Sequence, residues 1–381
     1  MKPCAPRGRI EFLDGLRGVA ALYVVLFHVV HLLERGGLGP LGSGTVLTPW
    51  MRSLGVSFLV VLSGFSLMLP VIRGGPAAMT SATEILAYLR RRARRILPAY
   101  YVALLASLGF AVLSSHLGLH GASRSDVFDL GAVVSHFFLF HNVSESWAWR
   151  INAPLWALAT IWQIYFLFPL ILLPVWRRLG KAATVSVGFA LGLLPVFLLS
   201  RHGDWDWAKP WLLGDFALGM AGAAIACGDT RESRAMLQRG RWMALSLVFL
   251  VGMAAAVGFL REHDWIADIF RGAMSVCLIL ACARRDFLAP GSPSLPIRLL
   301  SSRVATRLGA LSYSLYLVHF PILEQVAREL RYRHVGAGIA LAINLLVVVP
   351  CVLAVAYAFH LIFEKPGLQR REAVRVLAPV G

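Results

Sequence analysis

A membrane-crossing bundle of α-helices is the fold this sequence predicts, and three observations predict it. Of 381 residues, 58% are hydrophobic and 15% charged, with a mean hydropathy of +0.68, whereas a soluble domain carries about a quarter charged residues. The apolar residues fall into successive runs close to the length of about twenty that crosses a bilayer. Most Lys and Arg flank those runs. This last pattern is that of membrane topology. It removes nucleic acid as the reason for the net charge of +17.

Ten spans are expected, near residues 12–33, 50–71, 97–115, 154–175, 183–200, 211–227, 242–260, 266–283, 308–326 and 336–363. The first run lacks a small-residue cleavage site and is followed by many more, so it reads as a span and not as a removed signal. The stretch 130–141, LGAVVSHFFLFH, is too short to cross and is expected to re-enter or to lie at the interface. With the N-terminus inside, inner segments hold 26 Lys and Arg and outer segments 10, with Arg271 inside a span. That excess predicts cytoplasmic N- and C-termini. One integral domain over 1–381 is expected, with a membrane core of about 9–370 and short cytoplasmic tails.

Within the first span, EFLDGLRGVAALYVVLFHVVH, Arg17 and His28 stand eleven positions apart. On an α-helix that is about 16 Å of rise and close to three turns, so they share a face with Asp14 and His31. Ionisable side chains at such depth usually line a pathway or a reaction site. A snorkelling arginine and a histidine bonded to a neighbouring helix are the plainer alternative. Arg90, Arg91, Arg92, Arg94 and Arg95 form the densest charge cluster, just before a span. Some serve lipid headgroups. Arg91 and Arg95, at i and i+4, present one face to which a phosphorylated ligand would bind through guanidinium forks.

Other patterns carry less. Gly188 and Gly192 make a GxxxG expected to pack helices. Gly37–Gly42 matches GxGxxG in an outer loop without a preceding strand and is set aside. Cys4, Cys227, Cys277, Cys282 and Cys351 lie in or beside apolar runs without CxxC spacing, which suggests neither a disulfide framework nor a zinc site. No metal is expected. Trp147, Trp149, Trp156 and Trp162 cluster in one region, either as interfacial anchors or as stacking faces for a sugar.

Six segments, taken in order, resemble the signatures of the acyltransferase-3 family of integral membrane acyltransferases. They are Glu11–His28, Gly55–Phe65 (GVSFLVVLSGF), Arg91–Pro98, Pro154–Pro169 (PLWALATIWQIYFLFP), Leu308–Ile322 (LGALSYSLYLVHFPI) and Phe363–Pro366 (FEKP). The resemblance implies transfer of an acyl group, usually acetyl, from cytoplasmic acyl-CoA to a hydroxyl, commonly on a cell-envelope carbohydrate. It implies residence in a bacterial inner membrane, with acyl-CoA, the hydroxyl acceptor and membrane lipid as partners and no tightly bound cofactor. It assigns the family's histidine to His28, its first-span arginine to Arg17, and its paired arginines to Arg91 and Arg95.

The chemistry of these residues agrees with that assignment. A sugar hydroxyl attacks a thioester well only after a base takes its proton, and neutral imidazole is such a base near pH 7. A transient acyl-imidazole on His28 is the other route. Arg17 would contact donor phosphate or the thioester oxygen. Trp156, Gln163 and His319, within the resembling segments, are the candidates around the acceptor, His319 in a structural or supporting role. One departure stands out: Ile161 occupies a position where the family usually has glutamate, and Glu145, Asp215 and Glu324 are the candidate substitutes. The rival functions are a multispan transporter of a lipid-linked sugar or small molecule, and a catalytically degenerate relative.

Overall fold

The computed structural model describes residues 10–38, 47–74, 79–118, 129–199, 205–260, 263–288 and 293–365. The expected tails, Cys4, Pro366 and most of Gly37–Gly42 lie outside the described residues. The described residues are 87% helical and contain no strand, as apolar runs require when every backbone group must be satisfied inside the membrane.

The main helices are α1 (Glu11–Arg35), α2 (Leu54–Gly74), α3 (Ala82–His116), α4 (Leu130–Phe137), α5 (Leu155–Leu167), α6 (Leu173–Leu199), α7 (Leu212–Cys227), α8 (Arg231–Arg239), α9 (Trp242–Phe259), α10 (Asp264–Leu288), α11 (Arg303–Tyr332) and α12 (Ala337–Glu364). Among the described residues seven helices are long and apolar enough to cross a membrane, or eight if the bent pair α7 and α8 counts as one span. The sequence expectation was ten. Two of the expected spans, 154–175 and 183–200, fall in the single long run Leu155–Leu198. That run is broken at Gly180, whose φ of 80° is a left-handed conformation that glycine adopts without strain. The expected span 308–326 lies within α11, where Ser312, Tyr313, Ser314, Tyr316 and His319 dilute the apolar run.

The chain forms two compact units. The first comprises residues 1–23, 49–85 and 160–310. In it α7 packs against α2, α6 and α10, and α9 packs on α10. Val60, Val61, Phe65, Phe216, Met220, Ala223, Ile279 and Leu280 make its core. Small residues let the backbones close: a Cβ on Gly188 would lie 3.0 Å from Ala217 Cβ, and one on Gly192 would lie 2.5 Å from Pro210 O. The GxxxG therefore packs helices, as expected. On α9, Leu247, Val248 and Val251 are exposed, an apolar surface suited to lipid and not to water.

A buried ionic knot stands in the same unit. Asp268 accepts from Lys209 Nζ at 2.8 Å, Arg271 Nη1 at 2.6 Å and Trp211 Nε1 at 3.0 Å. Three donors surround one carboxylate, which is how a buried charge is tolerated. Cys227 is disulfide-bonded, which the cysteine spacing did not announce, while Cys277, Cys282 and Cys351 are free.

The second unit comprises residues 24–48, 86–159 and 311–381. Its core includes Val24, Val25, Tyr100, Leu155, Leu315, Leu317, Leu323, Val352 and Ala356. The short α4 begins at Asp129, whose side chain accepts from Ala132 N at 2.7 Å. Its eight residues rise about 12 Å, too little to cross a bilayer. Just after it, the rings of His136 and His141 stack at 3.8 Å, both fully buried. Burial pushes His136 down to about 4 and His141 well below the ordinary range.

Candidate active site

The residues singled out in the sequence divide between the units. Arg17 and Gln163 belong to the first; His28, Arg91, Arg95, Trp156 and His319 belong to the second.

In the first unit Arg17 Nη1 donates to Asp14 Oδ1 at 2.8 Å, and Nη2 donates to Ser66 Oγ. Ser66 donates its own proton to Leu62 O at 2.7 Å, leaving lone pairs for the guanidinium. The first resembling segment thus meets the end of the second. The glycines around Arg17 serve approach: a Cβ on Gly15 would lie 1.9 Å from Leu300 O, and one on Gly18 2.7 Å from Gly309 N. Gly309 answers in kind, since its Cβ would lie 2.0 Å from Asp14 O. Gln163 is half-buried on α5.

In the second unit α11 is the hub. His319 is fully buried, and its Nε2 lies 3.1 Å from His28 Nδ1. His28 Nδ1 also lies 2.8 Å from Val24 O, and the His28 side chain is only half-buried. The ring of Phe320 meets His28 edge-on at 5.2 Å. His319 Nδ1 faces Leu315 O at 3.0 Å and Tyr316 O at 2.8 Å. Tyr313 donates to Ile96 O at 2.8 Å, Tyr316 donates to Pro154 O, and Ser314 donates to Glu364 Oε2 at 2.7 Å. Four residues of one helix therefore bond to the first, third, fourth and last resembling segments.

Two members of this unit were given no role of their own in the sequence, although one of them lies in the FEKP segment. Asn152 is buried and donates through Nδ2 to Leu317 O at 3.1 Å and Ser107 Oγ at 3.2 Å; its signal was an amide next to an apolar run. Glu364 also accepts from His360 Nδ1 at 2.8 Å; a His and a Glu at i and i+4 in an apolar helix was a readable pair.

Arg91 and Arg95 are exposed on α3, and Arg92 lies 5.7 Å from the Tyr88 ring. At 35 residues α3 rises about 52 Å, so its first turns extend past a bilayer thickness and carry the arginines. Trp156 is half-buried on α5. Of the carboxylates considered against Ile161, Glu145 is exposed, Glu324 pairs with Arg328 at 2.8 Å, and Asp215 is fully buried in the first unit. His28 bonds to Val24 and His319 instead. Among the described residues no group of three or more His, Cys, Asp and Glu is placed to hold a metal.

Long apolar helices with ionisable side chains on their inner faces define a polytopic integral membrane protein. The sequence model of the acyltransferase domain of the acyltransferase-3 family matches residues 10–363, and the chain belongs to this family. YrhL of Bacillus subtilis (strain 168), provisionally named a peptidoglycan O-acetyltransferase, is 25% identical over 94% of this chain and 54% of its own length. The peptidoglycan O-acetyltransferase OatA of Listeria monocytogenes serovar 1/2a is 24% identical over 83% of this chain and 50% of its own. The O-acetyltransferase OatA of Staphylococcus aureus (strain NCTC 8325 / PS 47) is 23% identical over 82% and 50%. The chain thus spans about half the length of the curated relatives it matches. No solved structure matches it. With its family and its helices, the chain is an integral membrane protein of the bacterial cell membrane.

Proposed function

We propose that the protein is a membrane O-acyltransferase that moves an acyl group, most simply acetyl, from acyl-CoA to a hydroxyl of a cell-envelope carbohydrate. Relatives named for peptidoglycan O-acetylation support that acceptor class. His28 is the general base. Its imidazole takes the proton of the acceptor hydroxyl as the oxygen attacks the thioester carbonyl. The carbon–sulfur bond then breaks, and the departing CoA thiolate takes the proton back. Arg91 and Arg95 hold donor phosphates from the cytoplasmic side, and Arg17 supplies positive charge to the donor or to the developing oxyanion. Trp156 and Gln163 contribute to the acceptor side. Residues 1–381 act as one acyltransferase domain, without a tightly bound cofactor.

The observation that carries this reading is His28: a half-buried imidazole, held by a carbonyl and a second histidine, on the first helix of a chain of this family. The test is acyl transfer by the protein in lipid nanodiscs, from radiolabelled acetyl-CoA to cell-wall glycan fragments, with His28→Gln and His31→Ala compared. Loss of about 10²–10⁴-fold in His28→Gln, with CoA binding kept, is expected. Full activity in His28→Gln with loss only in His31→Ala would move the base one turn. Full activity in the double variant would remove histidine catalysis from this helix.

A further inference from the structure

The contacts of the two histidines determine where their protons sit. Both neighbours of His319 Nδ1, Leu315 O and Tyr316 O, are carbonyl oxygens at 3.0 and 2.8 Å. A carbonyl only accepts, so His319 Nδ1 carries the hydrogen and its Nε2 is a lone pair. That lone pair lies 3.1 Å from His28 Nδ1. His28 Nδ1 also faces Val24 O at 2.8 Å, so it too carries hydrogen, shared between two acceptors. In neutral His28 the basic lone pair is then on Nε2, the opposite corner of the ring. The order of bonds is helix carbonyls, His319, His28, and among the described residues no carboxylate takes part.

We propose that His319 is a positioning residue for the transfer reaction: its Nε2 lone pair accepts His28 Nδ1–H from a second helix and so fixes the ring plane that aims His28 Nε2 at the acceptor hydroxyl, in the Nδ1–H tautomer that Val24 O already requires. The Val24 bond lies within the helix of His28, whereas the bond from α11 ties the same Nδ1 edge of the ring to a second helix. When His28 takes the hydroxyl proton on Nε2, the same Nδ1–H remains shared between Val24 O and His319 Nε2, so the imidazolium keeps both acceptors. This inference rests on His28 as the base, and it adds which nitrogen acts and what holds it.

Two measurements test it on the full chain in nanodiscs. The first is solid-state NMR with ¹⁵N-labelled histidine, assigning His28 and His319 by substitution. Both are expected as Nδ1–H forms, with nitrogen–nitrogen coupling between His28 Nδ1 and His319 Nε2. A wild-type His28 protonated on Nε2 overturns the proposal without reference to activity. The second compares His319→Leu with His319→Gln, whose amide oxygen accepts a hydrogen bond but takes no proton. His319→Leu is expected to lower kcat by about 10²–10⁴-fold at unchanged KM for the donor, with the His28 ring gaining motion in its ¹⁵N line shape while Val24 O keeps Nδ1–H. His319→Gln is expected to recover most of that loss. Equal loss in both variants with the His28 ring no more mobile than in the wild type makes His319 a packing residue and overturns the proposal, as does full activity in His319→Leu. Full activity in His28→Gln defeats the base itself, so the two failures are distinguishable.

Discussion

Arg17 donates to side chains on two helices, and that geometry has a measurable consequence. Nη1 goes to Asp14 at 2.8 Å and Nη2 to Ser66. A lysine ammonium in place of the fork reaches one partner and not both. A hydrogen bond to a charged group contributes about 1.5–3 kcal/mol when water is excluded. The Arg17 side chain is 27% exposed, so water replaces part of the loss and the lower end applies, about 1–1.5 kcal/mol. Ser66→Ala alone should therefore reduce kcat/KM about five- to tenfold, and Arg17→Lys by at least as much. The double variant should lose little more than Arg17→Lys, because the lysine has already given up Ser66. The coupling energy in this cycle is expected near 1 kcal/mol. Acetyl transfer in nanodiscs, with a thermal melt of each variant as the folding control, measures it. Strictly additive losses would refute the idea that Ser66 acts by holding Arg17.

Other outcomes follow from the same structure. Arg91→Ala with Arg95→Ala should weaken acyl-CoA binding by about 1.5–3 kcal/mol per lost charge-assisted bond; unchanged affinity in a calorimetric titration would return both residues to lipid headgroups. A cysteine reporter at Thr80 should resist an impermeant reagent applied from outside, because inner segments carry most of the basic charge; efficient labelling would invert the topology. The 130–143 segment should lose hydrogen-exchange protection as pH falls from 6.5 toward 4. Its buried histidines stay neutral in the fold and protonate in the open chain, so their contribution is present above 6.5 and is lost below it. For His136 that window corresponds to about 3 kcal/mol, and protection that does not change between pH 7 and pH 4 would contradict it. Gly192→Leu should lower the melting temperature, since Pro210 O and Trp211 Cα lie within 2.7 Å of its Cβ position.

Much of the architecture was legible in the residues themselves. Hydropathy is additive along a run, so α1, α2, α9 and α12 could be read off, and α4 could be seen to be too short. Charge asymmetry is a property of loops, so the orientation of the termini is a reading of the sequence alone, and labelling at Thr80 decides it. The spacing of Arg17 and His28 followed from helical period alone. Span counting was less secure where polarity or a kink interrupts a run: Gly180 is one residue, yet its backbone angle decides whether 155–198 is one helix or two.

Partners were what the chain alone did not disclose. His319 was visible as a buried histidine, but only the packing of α11 against the end of α1 sets its Nε2 3.1 Å from His28. The pair is 291 residues apart, and no periodicity carries across that separation. Ser66 gave no warning of its role, because a serine in a helix ordinarily bonds back to its own turn, and it does so here while also receiving Arg17. The substitutes considered for the missing carboxylate illustrate the same limit. Residue type made Glu145, Asp215 and Glu324 equal candidates, while the fold gave them an exposed turn, a buried core and an arginine partner. Composition and period follow from local chemistry, and local chemistry is written residue by residue; the position of one side chain against another across helices depends on how every intervening side chain packs, and only the tertiary structure resolves that.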